Sequence, residues 1–284
     1  MKLDKNLNIL IIGLGLMGGS YAKALKENGY TVNAITKEQS DADYALAHGF
    51  ADRAITSVDE ALVGNADLII FALYPHVFLQ WIKENQHLFK SGAIITDVTG
   101  VKGCIVGKIQ SALRPDVEFI AAHPMAGRER SGILFADSSI FKVANYIVTP
   151  TEKNTAPAIE LCKALGESLG FARISELSPE RHDEIIAFLS QLTHCIAVSL
   201  MCSSDDHGLV NYTGDSFRDL TRIARINDEM WSELFLDNKP ALLKEMKAFR
   251  DNFDKMYTAV EKDDREGLRE MMRTSTERRS WFDR

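Results

Sequence analysis

The sequence predicts an α/β fold, a doubly wound and mostly parallel sheet, followed by an all-helical segment. Three observations carry this. Short apolar runs alternate with helical periods up to Glu176. A glycine-rich turn joins the first run to the first helix. Beyond Glu176 the apolar pattern keeps a helical period, and nothing reads as a strand.

In order, residues 8–12 are a short apolar run ending in glycine, the signature of a strand covered on both faces. Residues 17–27 follow as a helix with Gly29 as its stop, and residues 31–35 as the second strand. Runs at 67–72 and 93–97 flank a helix at 77–88. Runs at 118–121 and 145–148, a helix at 156–169 and a strand near Arg173 complete the alternation. Ser178-Pro179 then pairs an N-cap serine with a proline at the first helical position. A helix is expected from Pro179 to about Met201, and Pro240 opens another to about Lys262. The boundary therefore falls at 176, giving segments 1–176 and 177–284, and 284 residues at ~150 per domain agree with two.

Composition removes several function classes. Lys and Arg number 33 against 40 Asp and Glu, a net charge of −7, which argues against a nucleic-acid or membrane-surface protein. Most of that charge is in the second part: residues 1–150 carry −1 and residues 151–284 carry −6. The four cysteines form no CxxC, so neither a zinc site nor a disulfide framework is expected, and a reducing cytoplasmic setting fits. No metal is expected. The apolar run near the N-terminus is too short for a signal peptide core, and no segment reaches ~18 uninterrupted apolar residues.

Gly13, Leu14, Gly15, Leu16, Met17 and Gly18 spell GxGxxG between a strand and a helix. In that context the first glycine permits the tight turn, the second lets backbone approach a pyrophosphate, and the third lets helix and strand pack closely. The fold class is thus a Rossmann-type doubly wound parallel sheet with a C-terminal all-helical domain. A carboxylate at the end of the second strand would mark NAD. Here Thr36 and Lys37 stand there, a hydroxyl and an ammonium suited to a 2′-phosphate, so NADP is expected over NAD. The alternative leaves Lys37 solvated, with Glu38 or Asp41 reaching the ribose. Leu73, just past a strand on the same edge, is counted with the cofactor site.

His123 follows the run 118–121 and is expected at the carboxyl end of a parallel strand, the edge where such sheets bind ligands. A histidine there can take the proton an alcohol loses on oxidation. The loop that follows, Arg128-Glu129-Arg130-Ser131, is unusually charged.

Five blocks in order, GLGLMGGS, DVTGVK (97–102), HPMAGRERSG (123–132), SQLTH (190–194) and FRDLTRIA (217–224), resemble the prephenate dehydrogenase family over nearly the whole chain. That resemblance implies oxidative decarboxylation of prephenate, or of its aminated analogue arogenate, in tyrosine biosynthesis. It implies that His123 accepts the ring-hydroxyl proton, that Arg222 holds a substrate carboxylate, and that His194 lines the pocket. Glu129 and Asp219 would balance Arg222 at the mouth, with Ser131 and Gln191 completing a substrate gate. It also implies a homodimer through the helical domain. Two departures stand out. Many members have serine where this chain has Gly100, with Thr99 adjacent as a stand-in, and some have histidine at Gln191.

The residues leave alternatives open. Asp183, Ala187, Gln191 and His194 make a polar stripe that needs a partner, whether a substrate cleft, a dimer interface or buried water. The apolar side chains of 235–253 suit a dimer face or a monomer core. A different hydroxyacid dehydrogenase would want a lysine on the first helix of the second domain, and none lies between Lys163 and Lys239. A non-catalytic NADP-binding sensor is the remaining alternative, which His123 and Arg222 together disfavour.

Overall fold

Residues 2–128 and 130–283 are described in the computed structural model. Among the described residues nine strands form two sheets: β1 (Asn8–Ile12), β2 (Thr31–Ile35), β3 (Arg53–Ile55), β4 (Leu68–Phe71), β5 (Ile94–Asp97), β6 (Glu118–Phe119), β7 (Ala121–Met125), β8 (Asn145–Thr149) and β9 (Arg173–Glu176). The first six are all parallel, in the order β3-β2-β1-β4-β5-β6. The order reverses between β1 and β4, which opens a ligand crevice at their carboxyl ends.

Helices in the first part are α1 (Leu16–Glu27), α2 (Gln39–Ala47), α3 (Glu60–Gly64), α4 (Pro75–Asn85), α5 (Val106–Ala112) and α6 (Ala156–Leu169). They cover both faces of the sheet, which is why its strands are apolar without interruption. Ile9 and Ile11 of β1 join the core under α1, α2 and α6, with Tyr21, Leu25, Leu161 and Leu165. Leu10 and Ile12 point the other way, against Phe78 and Ile82 of α4 and Ile105 and Ile109 near α5. The period of two set by strand geometry thus feeds two separate cores.

The expected single sheet is divided. The main-sheet ladder ends where Ile120 N–H donates to the Ile95 carbonyl at 2.9 Å. The chain then crosses into a second sheet, β7-β8-β9, with β7 antiparallel to β8. His123 therefore lies mid-strand, opposite Ile147, and not at the end of a parallel strand. Side chains replace the ladder where β7 leaves it. The Ala122 N–H donates to Asp97 Oδ1 at 3.0 Å, and Lys102 Nζ donates to the Ala122 carbonyl at 2.5 Å. Asp97 and Lys102 pair at 2.7 Å with both side chains wholly buried.

From Pro179 onward every described element is helical: α7 (Pro179–Ile186), α8 (Thr193–Met201), α9 (Asp215–Thr221), α10 (Asp228–Asp237), α11 (Lys239–Glu261) and α12 (Arg265–Ser280), with short 3-10 turns between some of them. Ser178 caps α7 by accepting the Arg181 N–H, with Pro179 in the first turn, as its sequence predicts. The expected continuous helix 179–201 is interrupted by a π-helix, Ala187–Leu192, so a regular polar stripe from Asp183 to His194 does not persist. By length and composition Pro179–Met201 is apolar enough to cross a membrane, with 28% of its most apolar stretch buried. Its His182, Asp183 and Gln191 are buried among protein partners, while Phe188, Leu189 and Met201 lie on the surface. The C-terminal helices also expose large apolar side chains, including Leu236, Leu243, Phe253, Tyr257 and Val260.

Candidate active site

At the crevice, Gly13 adopts φ +99°, and a Cβ there would lie 2.4 Å from the Ala72 carbonyl oxygen and 3.0 Å from Leu73 Cδ2. A Cβ on Gly18 would lie 1.9 Å from the Gly13 oxygen. Both positions admit only glycine. Gly15 is the reverse case: exposed, with nothing within 4 Å of an added Cβ. It stands at the start of α1, where no side chain caps the first N–H groups. An open approach to uncapped helical N–H groups fits a pyrophosphate. Leu14 is buried, while Leu16 and Met17 are half-buried at the entry to the helix. Leu73 packs against this turn. Thr36 is buried after β2, and its N–H donates to the Ile55 carbonyl. The Lys37 side chain is 94% exposed, with its ammonium 3.8 Å from the Glu38 carboxylate.

His123 heads a chain of three groups. Its Nδ1 lies 2.8 Å from His182 Nε2, and His182 Nδ1 lies 2.7 Å from Asp183 Oδ1. The Asp183 carboxylate also accepts the N–H groups of Lys102 at 2.9 Å and Gly103 at 2.7 Å. A Cβ on Gly103 would sit 2.9 Å from Asp183 Oδ2, so glycine allows that approach. Burial holds His123 well below the ordinary histidine range, and neighbouring His182 and Lys102 push the same way. Burial also lowers His182, against the pull of Asp183. Both rings are therefore neutral at neutral pH.

Helix α10 closes the other side. A Cβ on Gly100 would lie 3.5 Å from the Leu234 methyls and 3.9 Å from His123 Nε2. The Leu234 carbonyl accepts Gln191 Nε2 at 2.9 Å, and Gln191 Oε1 accepts Asn238 Nδ2 at 2.8 Å. Glu233 accepts the backbone N–H of His76, at the start of α4, at 3.0 Å and lies 2.8 Å from its ring. His194 donates Nδ1–H to the Ser190 carbonyl and stacks on Trp231 at 3.8 Å between ring centroids. Cys104 is pushed up to about 12 by burial and by Asp237, so its thiol stays protonated.

Arg222, in the turn Arg222–Ala224, lines a cavity of about 360 Å³ with Arg128, Arg130, Phe135 and Arg225. Four guanidiniums line one space, a composition that suits an anion, although Arg128 also pairs with Asp137 at 2.7 Å.

Two sequence expectations need correction. Thr99 does not stand in for a serine beside His123. It is buried, donates its hydroxyl to Asp97, and lies 3.1 Å from Lys102 Nζ, so it belongs to the ion-pair network. Gln191 is no gate, because it is 1% exposed and both ends of its amide tie α10 and α11 in place. Glu129 lies outside the described residues. Ser131 is exposed in the loop after β7, and Asp219 is exposed on α9. The sequence did not single out His182 or Leu234 as site residues, and marked Arg128 and Arg130 only as part of a charged loop after His123. A histidine beside an aspartate at the buried start of a helix was the available signal for the first.

A glycine turn on the switch point of a parallel sheet, together with a neutral, half-buried imidazole on β7, fits a nicotinamide-dependent dehydrogenase. Residues 21–175 match the model for "Prephenate dehydrogenase, nucleotide-binding domain" and residues 178–274 that for "Prephenate dehydrogenase, dimerization domain". The chain belongs to the prephenate dehydrogenase family. It is 34% identical to the prephenate dehydrogenase of Bacillus subtilis, over 95% of this chain and 75% of that one. It is 30% identical to the cyclohexadienyl dehydrogenase of Zymomonas mobilis, over 96% and 94%. A crystal structure of prephenate dehydrogenase from A. aeolicus with hydroxyphenyl propionate and NAD+ superposes with a TM-score of 0.89 at 27% identity, covering 100% of both chains. Arogenate dehydrogenase from Synechocystis does so at 0.82 and 26%, covering 97% of this chain and 99% of that one.

The two neutral histidines set a pH dependence. Unfolded histidines bind protons near pH 6.5, whereas the fold excludes them until lower pH. Below that value the unfolded chain holds more protons, so stability falls as pH falls. Denaturant unfolding should give a free energy lower at pH 5 than at pH 7.5 by roughly 2 kcal/mol or more. An unchanged value would contradict neutral burial of the pair.

Proposed function

We propose that the protein oxidatively decarboxylates prephenate to 4-hydroxyphenylpyruvate, with His123 as proton acceptor and NADP as cofactor. The observation that supports this most is His123 itself. Its inner nitrogen is engaged by His182, and its outer nitrogen, Nε2, faces the gap beside Gly100. A neutral imidazole with one free lone pair takes the ring-hydroxyl proton as the carbinol C–H bond breaks, a contribution of about 10²–10⁴ in rate. When bound, the nicotinamide supplies the hydride acceptor. The ring ketone then draws the electron pair of the C–CO₂ bond, carbon dioxide leaves and the ring becomes aromatic.

The arginine cavity supports prephenate over arogenate. Prephenate carries two carboxylates and no cation, while arogenate adds an ammonium that Arg128, Arg130, Arg222 and Arg225 would repel. Arg222 is assigned a substrate carboxylate, held by a bidentate contact. His194, fixed against Trp231, is assigned to the pocket wall, and Ser131 and Asp219 to the loop and helix flanking the arginines. NADP is favoured because Thr36 and the exposed ammonium of Lys37 end β2, although Glu38 stands next to them. Gly13, Gly15 and Gly18 with Leu14, Leu16, Met17 and Leu73 form the pyrophosphate turn and its packing.

A second copy of the chain is proposed to cover the apolar faces of 188–201 and α11. Phe253 and Val260 are 59% and 60% exposed, and the matching family model carries a dimerization domain over these residues. Sedimentation at micromolar concentration should show a dimer, and a monomer there would contradict the assignment.

Steady-state kinetics with prephenate and arogenate, each with NADP and NAD, test the reaction. Prephenate with NADP should give the highest kcat/KM. Preference for arogenate or for NAD would overturn the substrate or the cofactor assignment separately. His123→Asn should lower kcat by about 10²–10⁴ with cofactor affinity nearly unchanged, and an unchanged kcat would remove His123 as the base.

A further inference from the structure

We propose that His182 is a positioning residue for the reaction: it fixes His123 in the tautomer whose Nε2 is bare and shares the proton's charge with Asp183. This rests on the function proposed above. The direction of every hydrogen in the chain follows from its far end. Asp183 accepts two backbone N–H groups, from Lys102 on Oδ1 and from Gly103 on Oδ2, so both of its oxygens act as acceptors. The third group at that carboxylate is His182 Nδ1, which must therefore donate. A neutral imidazole that donates from Nδ1 can only accept at Nε2. His123 Nδ1 lies 2.8 Å from that acceptor, so it carries its own hydrogen there. His123 Nε2 is then left unprotonated, on the side of the ring facing Gly100.

The same chain handles the charge. A proton taken from the substrate hydroxyl forms a bond to His123 Nε2. The hydrogen on His123 Nδ1 then lies along the line to His182 Nε2 and can pass to it, leaving one net proton on the pair. In that state the imidazolium is His182, whose Nδ1–H already points at the Asp183 carboxylate. The other charged groups around His182 are Lys102 and Asp97, which are paired with each other, so Asp183 is the acceptor left to balance the new charge. His182 is wholly buried, so water does not substitute for it.

Two variants separate positioning from packing. His182→Leu keeps apolar bulk but offers His123 no acceptor. His182→Gln keeps an acceptor oxygen near the place of Nε2 without the onward link to Asp183. His182→Leu should lower kcat ~10²-fold or more with KM within about threefold, since orienting a base acts on the transition state. His182→Gln should recover at least about tenfold of that loss. Cofactor affinity and near-ultraviolet circular dichroism, measured alongside, report whether each variant folds. A folded His182→Leu enzyme with near wild-type kcat would overturn the proposal. So would equal losses in both variants, which would make the role purely structural. If His182→Leu does not fold, His182→Gln decides alone: kcat should fall about tenfold at unchanged KM, and no fall would overturn the proposal. A wild type inactive on both substrates fails the assigned reaction itself, whereas an active wild type with indifferent His182 variants fails this inference only.

Discussion

The buried ion pair between Asp97 and Lys102 is the constraint on which the site depends. β7 must leave the main sheet to bring His123 to the crevice, and leaving strips Ala122 of its ladder partners. Asp97 takes the orphaned N–H and Lys102 the orphaned carbonyl. Two buried charges are costly unless geometry and hydrogen bonds are nearly complete, and here they are: Asp97 also accepts from Thr99, and Lys102 reaches three oxygens. Removing one partner of such a pair typically costs about 3–5 kcal/mol. The loop that supplies Lys102 also turns its next N–H groups toward Asp183, so strand, loop and helix α7 meet in one network.

That network accounts for the electrostatics around His123. The interior disfavours an imidazolium, and Lys102 disfavours it further. The ring is therefore neutral at neutral pH, as the proton-acceptor role proposed for it requires, but would bind a proton weakly if it stood alone. In the proposed relay Asp183, reached through His182, supplies the compensating charge. Helix α10 completes the enclosure, held by Gln191, Asn238 and the contact between Glu233 and the start of α4.

Much of this was legible in the sequence. The apolar runs, GxGxxG and the Ser-Pro cap place β1, β2, β4, β5, β8 and β9 and helices α1, α4, α6 and α11 to within a few residues, because each reports a local rule; β3 and the shorter helices α2, α3, α5, α9 and α10, with α12, carry no such mark. The misread positions share a cause. The break at Ile120 depends on side chains from β5 and its loop, which no local pattern of 118–121 reveals. The run AFLSQL reads as ordinary α-helix, and only packing against α11 shows it as a π-helix. Thr99 lies next to the position expected to face the histidine, yet it turns inward to Asp97. His182 escaped notice because a polar residue in the first turn of a helix needs no explanation until it is seen buried against another histidine.

The central claim is that His123 presents a bare Nε2 because His182 accepts its Nδ1 hydrogen. Nuclear magnetic resonance of the protein labelled with heavy nitrogen in histidine reads this directly, with His123→Asn to assign the ring. At neutral pH the hydrogen should sit on Nδ1 of His123 with Nε2 unprotonated. A ring protonated at Nε2, alone or together with Nδ1, would contradict the account.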